Sequence, residues 1–349
     1  MNRITIKNGQ FEIGGKRIWF NGVNTPWNKW NDFGGEYDDV WWNEHFSTLH
    51  TAGINSTRIW INCNNDQGAV DITDDGMVRG VSEKHWNDLA LLFEAAQRHK
   101  IYIMATPLSF DHFKGDNASK WRNMLYSKPS AESFAQNYMI PLLEKFGKNP
   151  WLWSIDLCNE PDWIFENPEC GHVPWENTSY LFAVCAAAIH RHSNVLVTVG
   201  MNMPKYSSDD PHWGASANKI SDAYLQKLYP DRDAYLDFWS PHYYDWMGSS
   251  YGVPFYVPPY GALPGGFTMC PSKPALIGEC MARGSAGKTP GTENNTIITD
   301  YESAMQNGWH GVMPWTSNGV DACGDLTHLS PATKYMAEKY ASLIFPEVN

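Results

Sequence analysis

The stretch "WSIDLCNEPDW", Trp153 to Trp163, runs apolar and then ends abruptly in an amide, an acid, a proline and a second acid. Ser154 to Cys158 read as a short buried strand, and Pro161 stops that strand from continuing. Asn159 and Glu160 therefore stand at its C-terminal lip, the place where parallel sheets bind ligands.

Seven further runs have the same strand-like character: "RIWFNGVN" (17–24), "NSTRIWIN" (55–62), "IYIMATPL" (101–108), "VLVTVGM" (195–201), "LDFWSPHYY" (236–244), "PALIGEC" (274–280) and "GVMPWT" (311–316). With "LWSIDLCN" (152–159) they make eight. Amphipathic stretches lie between them. "SEKHWNDLALLFEAAQRHK" sets Trp86, Leu89, Phe93 and Ala96 on one stripe, and "NTSYLFAVCAAAIHRH" does so with Leu181, Val184, Cys185, Ala188 and Ile189. Ser82 and Asn177 are the expected N-caps. Three more helices are read in "AESFAQNYMIPLLEKFG", where Pro141 is expected to kink the chain, in "ENNTIITDYESAMQNG" and in "SPATKYMAEKYASLIF". Eight β/α units spell a (β/α)8 TIM barrel, an α/β fold, with "ITIKNGQFEIGG" as a small N-terminal β cap. Barrels of ~250 residues or more run as one domain with long loops, so residues 1–349 are read as a single catalytic domain.

Composition narrows the partners. The chain has 26 basic and 38 acidic residues, a net charge of −12 that repels nucleic acid and anionic membrane. No apolar run approaches the ~18 residues of a membrane span, and the N-terminus lacks an apolar signal-peptide core. Seven cysteines with no C-x-x-C spacing do not indicate a disulfide framework, which leaves Cys170 with Cys270 or Cys323 as an open pairing. The 17 Trp and 17 Tyr are many, and several fall in segments unlike core: "NTPWNKWNDF", "DWIFENPECGHVPW" and "YYDWMGSSYGVPFYVPPYGALPGGF". Flat rings flanked by Asn, Asp and Gly suit sugars, whose C–H faces stack on aromatic systems while their hydroxyls need polar partners.

In a barrel the strand ends converge on one face. Successive units bring Asn21 and Asn24, Arg58 and Trp60, His112 beyond the third strand, Asn159 and Glu160, His242 and Tyr244, Glu279, and Trp315. Glu160 and Glu279 belong to the fourth and seventh strands, nearly opposite across the mouth. Two carboxylates facing across a sugar cleft are what glycosidic cleavage needs: one protonated to assist the leaving group, one ionised to attack C1, with ~5 Å between them on the covalent, retaining route. Arg58 and Tyr244 are placed to serve Glu279, whereas Glu160 follows apolar chain. Glu279 is thus the expected nucleophile and Glu160 the expected acid/base.

Together "NEP", "ALIGE", "PHYY", "TRIW" and "PWTS" resemble the clan A glycoside hydrolases, most closely family 5, over nearly the whole chain. The resemblance implies a (β/α)8 barrel and a retaining double displacement with no cofactor and no metal. It makes Glu160 the acid/base, Asn159 the contact to the sugar 2-hydroxyl and Glu279 the nucleophile. His242 and Tyr244 match the family's strand-six H-x-Y, Arg58 its strand-two arginine and Trp315 its strand-eight sugar platform. His112 stands near the family's third-strand histidine, in a different local pattern.

"RIW" at Arg58 to Trp60 resembles the family's mannanases, so the expected substrate is a β-1,4-mannan, with Trp60 and His112 shaping the pocket wall. "PWTSNGVDACGD" departs from the usual mannanase context, which keeps an endo-β-1,4-glucanase or an exo-acting member as alternatives. Trp163, Trp175, Trp246 and Tyr251, on loops after the fourth and sixth strands, are the further expected sugar contacts. A metal-dependent barrel enzyme would carry clusters such as H-x-H, and none occurs. A carbohydrate-binding protein on an inactive barrel would lack one glutamate. The expected molecule is a monomer acting on poly- or oligosaccharide; the family is usually exported, while thiols beside both glutamates, Cys158 and Cys280, suit a reducing habitat.

Overall fold

The computed structural model describes residues 2–214, 217–262, 265–289 and 291–347. Eight strands form one parallel sheet: β1 (Phe20–Asn24), β2 (Ser56–Trp60), β3 (Tyr102–Thr106), β4 (Leu152–Asn159), β5 (Leu196–Met201), β6 (Ser240–Tyr243), β7 (Glu279–Cys280) and β8 (Gly311–Val312). β8 pairs with β1 through Gly311↔Phe20, and single bridges Ile277↔Val312 and Met281↔Trp315 join the seventh unit to the eighth. The sheet thus curls into a nearly closed barrel, as the eight-unit pattern requires. Every residue of β4 is buried, because side chains point alternately into the filled barrel and into the helical layer.

The sixth and seventh strands are shorter than their apolar runs. Trp239↔Ala275 is an isolated bridge, and Pro241 and Pro274 bring no N–H to the ladder. Gly278 permits the close approach of these two units: a Cβ there would lie 2.4 Å from Ser240 Oγ.

The N-terminal segment does form a cap. Ile4–Lys7 pairs antiparallel with Gln10–Ile13 across Asn8 (φ 51°) and Gly9 (φ 70°), the positive-φ pair that a two-residue hairpin favours. Phe11 from this hairpin meets Phe20, Trp153 and Phe238 edge-on at 5.0–5.5 Å, and Phe20 stacks on Trp153 at 4.1 Å. Aromatic packing thereby plugs the barrel bottom and leaves the opposite mouth for chemistry.

Glu83–His99 is helical with Ser82 as its N-cap, and its expected stripe is buried. The helix of residues Trp175–His192 begins two residues before the expected cap; Asn177 lies inside it and donates to the Leu125 carbonyl instead. Pro141 does not break its helix. Lys128–Phe134 continues through a π turn, Ala135–Met139, into Ile140–Phe146, a local widening that accommodates the proline ring and its missing N–H. All seven cysteines are free thiols, so Cys170 pairs with neither Cys270 nor Cys323.

Candidate active site

Arg58 organises the mouth from the inner face of β2. Its guanidinium is fully buried, and it donates from Nη1 to Glu279 Oε1 (2.7 Å) and Asn24 Oδ1 (3.0 Å), from Nη2 to Asn159 Oδ1 (2.8 Å), and from Nε to Asp156 Oδ2 (2.8 Å). Tyr244 donates to the other oxygen of Glu279 at 2.8 Å. Glu160 adopts a left-handed backbone (φ 45°), and its N–H donates to the Gly200 carbonyl. This turn lifts its side chain over the mouth, where Oε2 accepts from the Trp163 indole (3.0 Å) and Oε1 lies 2.8 Å from His242 Nδ1. His242 also stands 3.4 Å from Glu279 Oε2. Ligand atoms of Glu160, His242 and Glu279 all fall within 4.8 Å of one another, so the two carboxylates face each other at close range.

Burial pushes the Glu160 carboxyl up to about 7, against the opposing pull of Trp163 and Arg58. Burial also raises Glu279, opposed by His242, Arg58 and Tyr244. Two carboxyls this close do not both ionise readily, and a guanidinium plus a phenol donating to Glu279 place the negative charge there. The retained proton then belongs to Glu160. His242, driven down to about 4 by burial, is neutral at neutral pH. Among the described residues these three are the group spaced to hold a metal ion, and three of the four carboxylate oxygens already accept hydrogen bonds from Arg58, Tyr244 and Trp163.

The mouth opens into a cleft of about 570 Å³ lined by Trp27, Trp30, Trp60, Phe110, Asp111, Lys114, Asn159, Glu160, Tyr244, Glu279, Trp315, Asp321 and Cys323. Trp27 is the hub of its aromatic wall, with ring centres 4.7 Å from Trp30, 5.1 Å from Trp60 and 6.0 Å from Trp315. Trp315 is fixed by its indole donating to Asp321 at 2.8 Å.

Of the residues singled out from sequence, Arg58, Trp60, Asn159, Glu160, His242, Tyr244, Glu279 and Trp315 come together here, and Trp163 joins them through Glu160. His112 does not line the cleft. It is buried behind the third-strand turn, bonded through Nδ1 to Ser109 and edge-on to Trp121 at 4.6 Å, and its neighbours Phe110, Asp111 and Lys114 take the cleft position. Trp175 opens a helix and packs on Tyr206 (4.9 Å), while Trp246 packs on Tyr251 (5.9 Å), so these rings anchor loops. Residues 263 and 264 of the loop after β6 lie outside the described residues. Asn21 also turns away from the mouth, donating to the Gly53 and Thr333 carbonyls. Missed in the sequence were Asp156, Asp321, Trp27 and Trp30, although the last two stand in "NTPWNKWNDF", a segment notable for its aromatics.

Fold and site define a class: an eight-unit barrel with close-set glutamates at the ends of its fourth and seventh strands has the layout that retaining glycosidic cleavage needs. No protein-family model matches the chain. It is similar to a mannan endo-1,4-beta-mannosidase of Cryptopygus antarcticus, at 24% identity over an alignment 347 residues long, gaps included, that covers 90% of this chain and 84% of that protein. Its fold matches an endo-1,4-beta-mannanase from Eisenia fetida, with TM-score 0.79, 22% identity, and 96% and 95% of the two chains covered. A beta-mannanase from the blue mussel Mytilus edulis superposes with TM-score 0.78 and 21% identity, covering 96% of each chain.

Proposed function

We propose that the protein is a retaining endo-β-1,4-mannanase, a single catalytic domain hydrolysing β-mannan by double displacement. The observation that carries this reading is the pair Glu160 and Glu279, facing at close range beside a tryptophan-walled cleft. In the first step a Glu279 oxygen bonds to C1 of the sugar while Glu160 gives its proton to the departing glycosidic oxygen. In the second, Glu160 takes a proton from water, whose oxygen bonds to C1 and releases Glu279 with the anomeric configuration retained. Asn159 Oδ1 is engaged by Arg58, which directs the amide nitrogen toward the sugar 2-hydroxyl. Trp315 and Trp60, with Trp27 and Trp30, supply stacking surface. The named activities of the similar proteins support mannan over glucan.

Product analysis on mannan, glucomannan, cellulose and xylan tests the reading. Internal cleavage of mannan is expected, with the β anomer released first in proton NMR. kcat/KM on β-1,4-mannooligosaccharides should exceed that on cellooligosaccharides of equal length by ~10-fold or more, the scale of one well-placed hydrogen bond. Initial α anomer would overturn the double displacement, and equal efficiency on cellooligosaccharides would overturn the mannan assignment.

A further inference from the structure

A buried guanidinium is tolerated where its charge is paired and its five N–H groups are used. Arg58 meets both conditions, and Asp156 supplies much of each. Asp156 Oδ2 takes Nε at 2.8 Å and Nη2 at 2.7 Å, the other Nη2 hydrogen goes to Asn159, and Nη1 divides between Asn24 and Glu279. Asp156 has no exposed surface and does not line the cleft. Its second oxygen accepts the Gly200 N–H at 2.7 Å, which fixes the carboxylate plane. Gly200 has no side chain to intrude: a Cβ there would lie 2.8 Å from Asp156 Oδ2, 2.9 Å from His242 Nε2 and 3.0 Å from Arg58 Nη2.

We propose that Asp156 is a positioning residue for the reaction: by gripping one edge of the Arg58 guanidinium it aims the other edges at Glu279 and Asn159 and shares the charge that would otherwise bind Glu279 too tightly for nucleophilic attack. The proposal rests on the double-displacement reading above. Asp156 reaches the glutamates only through Arg58; the titratable and charged groups that face them are Arg58, Asp111, Asp162, His242, Tyr244, Cys280 and Cys323. Without the anion at position 156, the whole Arg58 charge acts on this set, and both glutamates lose protons more readily.

Asp156→Asn keeps an acceptor for Gly200 and removes the charge. Both limbs of its kcat/KM profile should move to lower pH by ~1 unit, with kcat down ~10-fold or more and KM within ~2-fold. Asp156→Glu restores the charge on a longer side chain, so its limbs should return to the wild-type positions while kcat stays depressed. A merely structural role lowers thermal stability and leaves the limbs unmoved, so a wild-type pH profile for Asp156→Asn overturns the proposal. Should Asp156→Asn fail to fold, Asp156→Glu decides the matter, and full wild-type kcat there overturns it. Wild-type protein that does not cleave mannan would instead remove the functional reading, before any variant is compared.

Discussion

Glu160 and Glu279 differ in what donates to them, and that difference assigns their chemistry. Glu279 takes a guanidinium and a phenol; Glu160 takes an indole and sits beside a neutral histidine. Glu279→Ala should therefore abolish turnover of every substrate, by ~10³-fold or more. Glu160→Ala should keep partial activity on substrates with a good leaving group, with added azide restoring turnover and yielding a β-glycosyl azide; the same rescue seen in Glu279→Ala would mean reversed roles. Because Glu160 is held up at about 7 and must be protonated to assist departure, wild-type kcat/KM should fall as pH rises through ~7. The glutamates were legible because each stands where an apolar strand ends. Asp156 was missed because it lies within one, yet a lone acid in a buried strand needs a cationic partner, and Arg58 inside "NSTRIWIN" is the matching lone base.

Strands and loops differ in how much of their geometry the sequence carries. Strand positions follow from apolar runs, and alternation decides which side chains face the mouth: Asn21 and Asn24 are three residues apart on β1 and therefore face opposite sides. Asn24 reaches Arg58, while Asn21 ties β1 to the carbonyls of Gly53 and Thr333, the latter on the helix Leu326–Lys339. Asn21→Ala should cost ~1–3 kcal/mol of stability and lower Tm by several degrees, while kcat per folded molecule stays at the wild-type value; a loss of kcat would place Asn21 in the catalytic network after all. Loops carry no such periodicity. A tryptophan that stacks on sugar and one that pins a loop look alike in sequence. Trp163, Trp175 and Trp246 drew attention equally, yet packing sends Trp175 to Tyr206 and Trp246 to Tyr251, and builds the cleft wall from Trp27 and Trp30 after β1.

At the scale of the whole molecule, the barrel separates an aromatic plug at its base from a polar mouth, and burying that polarity ties stability to pH from two directions. Five histidines, the half-buried His45 and the buried His85, His112, His242 and His310, are lowered by desolvation, His112 to about 3 and the others to about 4. In the unfolded chain they titrate near 6.5, so below that pH the unfolded state binds more protons, and the stability they contribute is lost as pH falls from ~6.5 toward 4. Carboxyls raised by burial act oppositely. Asp32, Glu160 and Asp162 are raised by burial to about 7, so between ~4.5 and 7 the folded state holds protons that the unfolded state has released, and their contribution is lost as pH rises through that window. Among the groups shifted furthest, five histidines stand against three carboxyls between pH ~4 and ~6.5, so stability should climb with pH there; above it the histidines are neutral in both states and the carboxyls turn the curve down. Thermal unfolding followed from pH 4 to 8 should therefore show the highest Tm near pH ~6.5, falling on both sides. His85→Gln, which replaces a histidine bonded to the Phe33 carbonyl and Tyr138 and remote from the glutamates, should flatten the acidic side without moving the alkaline one. A Tm that rises steadily to pH 8 would mean that the buried carboxyls are ionised at no cost, and the raised value assigned to Glu160 would have to be abandoned with them.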